Sequence, residues 1–165
     1  MPDWFVLNAR EAHWRERPGR GYSLPFTGWT DEEADERFPQ LGVHLYVLGP
    51  GEPIGMYHRE ADQEDFLVLS GEALLLVEGE ERPLRQWDFV HCPPGTEHMI
   101  VGAGHGRCVV LGVGARQHGR IAYTVDEVAQ RHGAGVEEET SDPDAAYARF
   151  ADSEAVRYRE GWLPD

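Results

Sequence analysis

Two short stretches of the chain contain side chains whose types and spacing suit a metal site. His58, Glu60 and Glu64 lie in the first stretch, and His98 ends the second. Imidazole nitrogens together with carboxylate oxygens are ligands that borderline or hard divalent cations accept. The sequence therefore predicts a site for one divalent ion, with these four residues as the candidate ligands.

The spacing of these residues indicates how a folded chain brings them together. His58 and Glu60 are two positions apart, so on a strand both side chains project from the same face. Glu64 precedes an apolar segment, 66–69, that is typical of a strand entered from a tight loop, so its carboxylate can return to the same pocket. His98 follows a Pro-Pro-Gly turn and begins another apolar segment. We therefore expect neighbouring strands to deliver all four side chains to one place.

Short apolar segments separated by turn residues occupy the middle of the chain. Residues 41–48 alternate loosely, with His44 and Tyr46 on one face, and they lead towards the predicted site. Residues 73–77 are apolar on both faces, so each face of that strand must be covered. Short strands with frequent turns are typical of an antiparallel sandwich or barrel.

At the two metal-binding stretches the sequence resembles the cupin superfamily. The first cupin motif ends with a Glu, six further residues and a Gly, and Glu64 and Gly71 have this spacing. The second motif contains Pro-x-Gly-x-x-His, which residues 93–98 match. The resemblance covers residues 38–114 and implies an all-β core, built as the antiparallel double-stranded β-helix, or jelly-roll barrel, of that family.

The sequence departs from the cupin motifs at several positions. Glu60 stands where the second His of the first motif belongs, so it is a fourth ligand, a base that orients His58, or a solvated carboxylate. Trp87 stands where the second motif usually begins with Gly, and Gly102 stands where it often ends with Asn. We expect Trp87 to fill one end of the barrel.

The segments on either side of the barrel contain patterns typical of helix starts. Residues 30–33 and 124–127 have capping-box spacing, and an Asp-Pro pair at 142–143 starts a further helix. We expect an N-terminal arm at 1–37 and a C-terminal helical extension at 115–165 that packs on the barrel, all within one domain. Several aromatic residues in these segments predict that they cover the barrel or a partner subunit: Tyr22, Phe26, Trp29, Tyr158 and Trp162.

The composition excludes several classes of function. The net charge of −15 at pH 7 opposes binding to nucleic acid or anionic lipid, because both depend on clustered cations. All 15 basic residues are Arg, so no side-chain Schiff base can form. No apolar stretch approaches the ~20 residues of a membrane span and no secretory leader is evident, so we expect a cytoplasmic protein. Cys92 and Cys108 lack paired metal-binding spacing and are expected as free thiols rather than as one bridge.

The cupin resemblance implies a metal-dependent function without identifying a reaction. Enzymes of this kind bind Fe, Mn, Ni or Zn and use an open coordination position to activate dioxygen or to polarise a carbonyl or carboxylate, as oxygenases or isomerases of small organic molecules. The alternative is a module that binds a metal or a small ligand without turnover, as a sensor or a store. His44, Tyr46 and Cys92 are candidates to line the pocket. We also expect a homodimer, because the strand at 73–77 and the aromatic termini need covering.

Overall fold

The computed structural model describes residues 4–165 and contains two antiparallel sheets. The strands, in chain order, are β1 His13–Glu16, β2 Tyr22–Pro25, β3 Leu41–Leu48, β4 His58–Glu60, β5 Glu64–Ser70, β6 Glu72–Val77, β7 Glu80–Arg85, β8 Phe89–Cys92, β9 His98–Gly102, β10 Cys108–Ala115, β11 Ile121–Tyr123 and β12 Glu154–Arg157. The helices are α1 Asp31–Arg37, α2 Glu127–Arg131 and α3 Pro143–Tyr147.

The two sheets enclose the largest apolar cluster of the chain. The larger sheet has the order β12-β1-β2-β3-β10-β5-β8, and the smaller sheet has the order β11-β4-β9-β6-β7. From β3 to β6, and again from β8 to β11, each connection carries the chain from one sheet to the other. This winding is that of a double-stranded β-helix, so the predicted all-β, antiparallel jelly-roll core is confirmed.

Strand β3 shows how alternating side chains build apolar layers on both sides of the large sheet. Leu45 and Val47 pack in one buried cluster with Trp14. Tyr46 and Leu48 belong to the other cluster, which lies between the sheets. Because successive side chains of a strand point to opposite faces, each face of β3 has its own apolar partner.

Both ends of the chain add strands to the barrel. β1 and β2 form a hairpin that extends the large sheet beside β3. β12 pairs with β1 at the edge of that sheet, and β11 pairs with β4 in the small sheet. The two extensions therefore contain more strand and less helix than the sequence predicted, because pairing at a sheet edge satisfies backbone groups that a short isolated helix leaves open.

The helices are short, and their caps are only partly those predicted. Thr30 caps α1, and its Oγ1 accepts a hydrogen bond from the backbone N–H of Glu33 at 3.1 Å, as expected. The predicted cap of α2 at Thr124 is wrong, because the Asp126 carboxylate instead accepts the N–H of Ala129 at 2.8 Å. Helix α3 begins with a proline, as predicted. None of the helices in residues 4–165 is long and apolar enough to cross a membrane.

The apolar strand at 73–77, now part of β6, is covered within the chain. Ala129 and Ala134 of the C-terminal segment belong to the same apolar cluster as the β6 side chains. The aromatic ends cover each other, and the ring centroids of Tyr22 and Trp162 are stacked 4.0 Å apart. These intrachain contacts remove the main sequence-based reason for expecting a partner subunit over β6.

Candidate metal centre

Three of the four predicted ligands come together between the sheets. His58 Nε2 lies 3.1 Å from Glu64 Oε2, and His98 Nε2 lies 3.0 Å from the same oxygen. One donor atom from each of these residues lies within 4.8 Å of the other two, and both histidines are buried. We refer to His58, Glu64 and His98 as the His-Glu-His group.

Strand pairing explains why these three residues meet. β4 pairs with β9 so that His58 stands directly opposite His98, which places both imidazoles on one face of the small sheet. Glu64 is the first residue of β5, in the large sheet, where it stands opposite Gly114 of β10. The His-Glu-His group therefore spans the space between the two sheets.

The backbone sets the orientation of both imidazole rings. His58 Nδ1 lies 2.7 Å from the carbonyl oxygen of Met56, and His98 Nδ1 lies 3.0 Å from that of Thr96. Because a carbonyl oxygen only accepts, each Nδ1 carries the proton and donates it. Each Nε2 is then available at the Glu64 carboxylate, which is the arrangement that metal-binding histidines commonly have.

The charged groups of the site shift one another's pKa values. Burial opposes the charge of His58, but the carboxylates of Glu60 and Glu64 outweigh it and raise its pKa to about 10. Burial also opposes the charge of His98, whose pKa Cys92 and Glu64 raise to about 9. Burial would raise the pKa of Glu64, but the two imidazoles hold it well below its usual range. This field favours positive charge between the rings, so a bound cation and the imidazole protons compete for the same place.

Glu60 lies beside the His-Glu-His group rather than within it. Its Oε1 is 3.4 Å from His58 Nε2, and its side chain is 27 % exposed. The carboxylate also lines the neighbouring cavity. This position is compatible with a fourth ligand after a side-chain rotation and with a base that orients His58, so both roles stay predictions.

A cavity of about 490 Å³ opens beside the His-Glu-His group. Its wall includes the candidate residues His44, Tyr46, His58, Glu60 and Glu64. Cys92, which we expected on this wall, is not part of it. It stands opposite Glu64 on β8, and its buried side chain lies beside the His98 ring. Cys92 and Cys108 are both free, in agreement with the sequence-based expectation.

Comparison with known proteins agrees with this geometry. Residues 44–114 match a family model described as the cupin domain. Residues 44–114 are a cupin domain. A search of curated proteins found no match to this chain.

Several solved structures share the fold of this cupin. A cupin-like protein from Thermotoga maritima has a TM-score of 0.55 at 19 % identity, over 76 % of this chain and 90 % of that one. A cupin 2 domain-containing protein from Halorhodospira halophila has a TM-score of 0.53 at 19 % identity, over 68 % and 75 % of the two chains. A protein from Acidithiobacillus ferrooxidans, provisionally assigned as a sugar phosphate isomerase, has a TM-score of 0.53 at 23 % identity, over 84 % and 78 %. At these identities the likeness shows the fold alone.

The structure accounts for one departure of this cupin from the family motifs and shows that another is conformationally unfavourable. A Cβ at Gly102 would clash with the backbone oxygen of Gly49, so this close approach of two backbone segments excludes Asn. Trp87 has a φ of 74°, in the left-handed region that glycine favours. The expectation that Trp87 fills a barrel end is wrong, because it is 66 % exposed on the turn between β7 and β8.

The cavity wall also contains residues that the sequence did not predict. Arg17 and Arg20 come from the turn between β1 and β2, and Tyr147 is the last residue of α3. A Cβ at Gly55 would lie 2.6 Å from Tyr147 Oη, so glycine leaves room for this hydroxyl, which accepts a hydrogen bond from the N–H of Met56 at 3.1 Å. A Pro-Gly pair flanked by arginines predicts only a turn. The turn lies at the cavity because the β1–β2 hairpin joins the large sheet beside β3.

Proposed function

We propose that this cupin binds one divalent metal ion through His58, Glu64 and His98 and acts there as an enzyme on a small organic molecule. The observation that carries the proposal is the convergence of two imidazole Nε2 atoms on one carboxylate oxygen, at 3.1 and 3.0 Å. Two neutral imidazoles and one carboxylate form a donor set that Mn, Fe, Ni and Zn accept, with further coordination positions left open.

The residues of the site fit such an ion. His98 Nε2 is buried and has no hydrogen-bond partner among the described residues, although Glu64 lies nearby. A buried polar atom without a partner costs free energy, which coordination would offset. The Nδ1–H bonds of both rings keep Nε2 aimed at the same point without further rearrangement.

The surroundings of the group support turnover rather than storage. A bound ion would supply Lewis acidity, or electron transfer if the metal is redox-active, which suits isomerase-type or oxygenase-type chemistry. The cavity is large enough for a small molecule beside the group. Glu60 stands at the cavity wall 3.4 Å from His58 and is placed to accept a proton from a bound substrate.

Metal analysis of the purified chain tests the metal centre. We expect wild-type protein to take up a divalent ion and His58→Ala and His98→Ala to lose most of it. His105→Ala is the matched control, because His105 is exposed on the turn before β10. A wild-type chain that takes up none of Mn, Fe, Ni and Zn would overturn the proposal.

A screen of metal-loaded protein with small carbonyl compounds and carboxylic acids tests for an enzyme. Oxygen consumption reports oxygenase chemistry, and NMR of the mixture reports isomerisation. Conversion that disappears in a folded Glu64→Gln variant supports the enzyme. Binding of these compounds without conversion would instead favour a sensor or a store.

We also propose that the protein is a cytoplasmic homodimer without nucleic-acid or membrane partners. The support for a dimer is apolar exposure at the edge strand β8 and its preceding turn, where Phe89 is 64 % and Trp87 66 % exposed. Two free cysteines suit a reducing compartment. The net charge of −15 opposes binding to nucleic acid and anionic lipid. A monomer that stays unchanged with concentration in sedimentation velocity would remove the dimer.

A further inference from the structure

Two of the four arginines in the cavity wall, Arg17 and Arg20, come from one turn and have no acidic partner among the described residues. Arg17 is buried, with 8 % of its surface exposed, and Arg20 is partly buried. The arginine ion pairs formed within residues 4–165 use other side chains. Buried charges in proteins are normally paired, because taking an isolated charge out of water costs several kcal/mol.

The guanidinium of Arg17 is only partly used by the protein. Its Nη1 donates to the carbonyl oxygen of Ile54 at 2.6 Å, and its Nη2 donates to that of Arg20 at 2.7 Å. Its Nε is buried and has no hydrogen-bond partner among the described residues. Since a guanidinium has five N–H donors, Arg17 keeps donors that neither carbonyl satisfies.

Aromatic rings hold Arg20 without occupying its N–H groups. Its Cζ lies 4.5 Å from the ring centroid of Tyr147 and 5.0 Å from that of Phe150. Its Nε is buried and has no hydrogen-bond partner in the described part of the chain. Stacking of this kind orients a guanidinium and leaves its donor edge free for a planar or tetrahedral oxyanion.

Burial lowers the pKa of both arginines. The pKa of Arg17 falls to about 10. Both side chains therefore stay charged at neutral pH while their surroundings disfavour that charge. An anion in the cavity would relieve this cost by supplying the missing counter-charge.

We propose that Arg17 and Arg20 form a subsite for an oxyanion, the carboxylate or phosphate group of the small molecule that reacts at the metal centre. That the ligand reacts there rests on the proposed function, whereas the subsite itself rests on the two arginines. Tyr46 lies on the same cavity wall as Arg17 and Glu64, and its ring centroid is 5.2 Å from Arg17 Cζ. The substrate class is therefore a small anion that reaches from the arginines to the metal-binding group.

The subsite depends on segments outside the barrel. The β1–β2 turn is held by hydrogen bonds from Arg17 N–H to the Gly21 carbonyl oxygen and from Arg20 N–H to the Arg17 carbonyl oxygen, both at 2.8 Å. Helix α3 and the residues after it supply the stacking rings of Tyr147 and Phe150. Because both walls are set before a ligand arrives, little ordering is needed on binding.

Isothermal titration of the 165-residue chain with inorganic phosphate, and separately with acetate, tests the subsite. Both titrations are run on metal-free and on metal-loaded protein at constant ionic strength. We expect at least one probe to bind metal-free wild type. In Arg20→Gln the dissociation constant should rise by about 10-fold or more, the scale of one lost charge-assisted hydrogen bond. Stronger binding of phosphate would identify a phosphate ester as the ligand, and stronger binding of acetate would identify a carboxylic acid.

Two further variants keep the test decisive. Arg107→Gln makes the same change of charge at an exposed position on the turn before β10 and should leave both dissociation constants unchanged. Arg17→Met should also abolish binding of the phosphate and acetate probes. If Arg17→Met does not fold, the result for Arg20→Gln alone tests the subsite. Equal weakening in Arg20→Gln and Arg107→Gln, or no binding of either probe to wild type, would overturn the subsite.

The outcomes separate the subsite from the proposed function. A chain that takes up metal but binds neither probe keeps the metal centre and refutes the subsite. A chain that binds a probe in an Arg20-dependent way but takes up no metal keeps the subsite and refutes the metal centre.

Discussion

Backbone carbonyl groups orient the two histidines of the proposed metal centre. Each Nδ1 lies within hydrogen-bond distance of the carbonyl two residues earlier in the chain, Met56 for His58 and Thr96 for His98. These bonds keep one proton on Nδ1, so Nε2 is the atom that can bind a metal once its own proton is displaced. The Glu64 carboxylate oxygen lies 3.1 and 3.0 Å from the two Nε2 atoms. Its removal would leave two buried imidazoles, whose pKa values are raised, without a counter-charge.

Glu60→Ala should weaken metal binding less than His58→Ala or His98→Ala. Its carboxylate lies outside the His-Glu-His group, and the loss of a residue that orients a ligand commonly lowers metal affinity by about 10–100-fold. Glu60→His supplies the imidazole of the usual cupin motif and should retain the metal. Calorimetric titration with Mn and Zn measures both effects. If Glu60→Ala loses as much affinity as His58→Ala, Glu60 is a full ligand.

The metal-free protein should become less stable as the pH rises from about 6.5 to about 10. The pKa of His58 is about 10 in the folded chain, above the ~6.5 of an unfolded one, so its stabilising effect is complete below ~6.5 and is lost as the pH passes 10. Glu64 acts in the opposite sense, because its pKa is lowered and its contribution is lost as the pH falls below ~4.3. Thermal unfolding of chelated protein across this range measures the trend.

Metal-loaded protein provides the comparison for this pH series. A bound ion replaces imidazole protons, so the difference in melting temperature between loaded and metal-free protein should widen as the pH rises. His58→Ala should remove most of the widening. A difference that stays constant across the series would show that metal and protons do not compete at these rings.

At the scale of elements, the β7–β8 turn contains a residue with an unfavourable backbone conformation. Trp87→Gly should be more stable than Trp87→Ala by about 1 kcal/mol, because a left-handed φ costs an L side chain roughly 1–2 kcal/mol and the greater freedom of unfolded glycine offsets part of the gain. Both variants lose the exposed ring, so only the Cβ distinguishes them. Urea denaturation measures the difference. Equal stability of the two variants would show that the turn stores no strain at this position.

The barrel elements and the terminal elements supply different kinds of residue to the cavity wall. β4, β5 and β9 supply the His-Glu-His group, whereas the β1–β2 turn and α3 supply Arg17, Arg20 and Tyr147. The barrel therefore presents the His-Glu-His group, and the added segments present cations and aromatic rings. Variation in such added segments could change the ligand of a barrel without changing its metal site.

At the scale of the whole molecule, metal binding should tie the two sheets together. Glu64 lies in the large sheet and both histidines lie in the small one, so an ion bound by all three links the sheets. An ion present at a hundred times its dissociation constant adds about 2.7 kcal/mol, and its removal should lower the melting temperature by roughly 5–10 °C. Differential scanning fluorimetry before and after chelation measures the change. Unchanged melting of protein shown to be free of metal would contradict this link, and His58→Ala, already metal-poor, is the control.

The division of the chain into an arm at 1–37, a barrel at 38–114 and an extension at 115–165 stays a prediction. Strands from both flanking segments pair within the two sheets, so contacts cross each predicted boundary. This pairing supports our proposal that the chain is one domain.

The sequence by itself determined the barrel and the meeting of His58, Glu64 and His98. Alternation along strands and the spacing within each motif depend on residues that are close in the sequence. Such local patterns can be recognised from the sequence alone. The tertiary structure alone decided that Glu60 lies beside the group, that Cys92 is behind His98 rather than on the cavity wall, and that Trp87 is exposed. It also decided that the β1–β2 turn brings Arg17 and Arg20 to the cavity. These positions depend on which sheet edge a distant segment joins, and edge pairing uses backbone groups that every sequence shares.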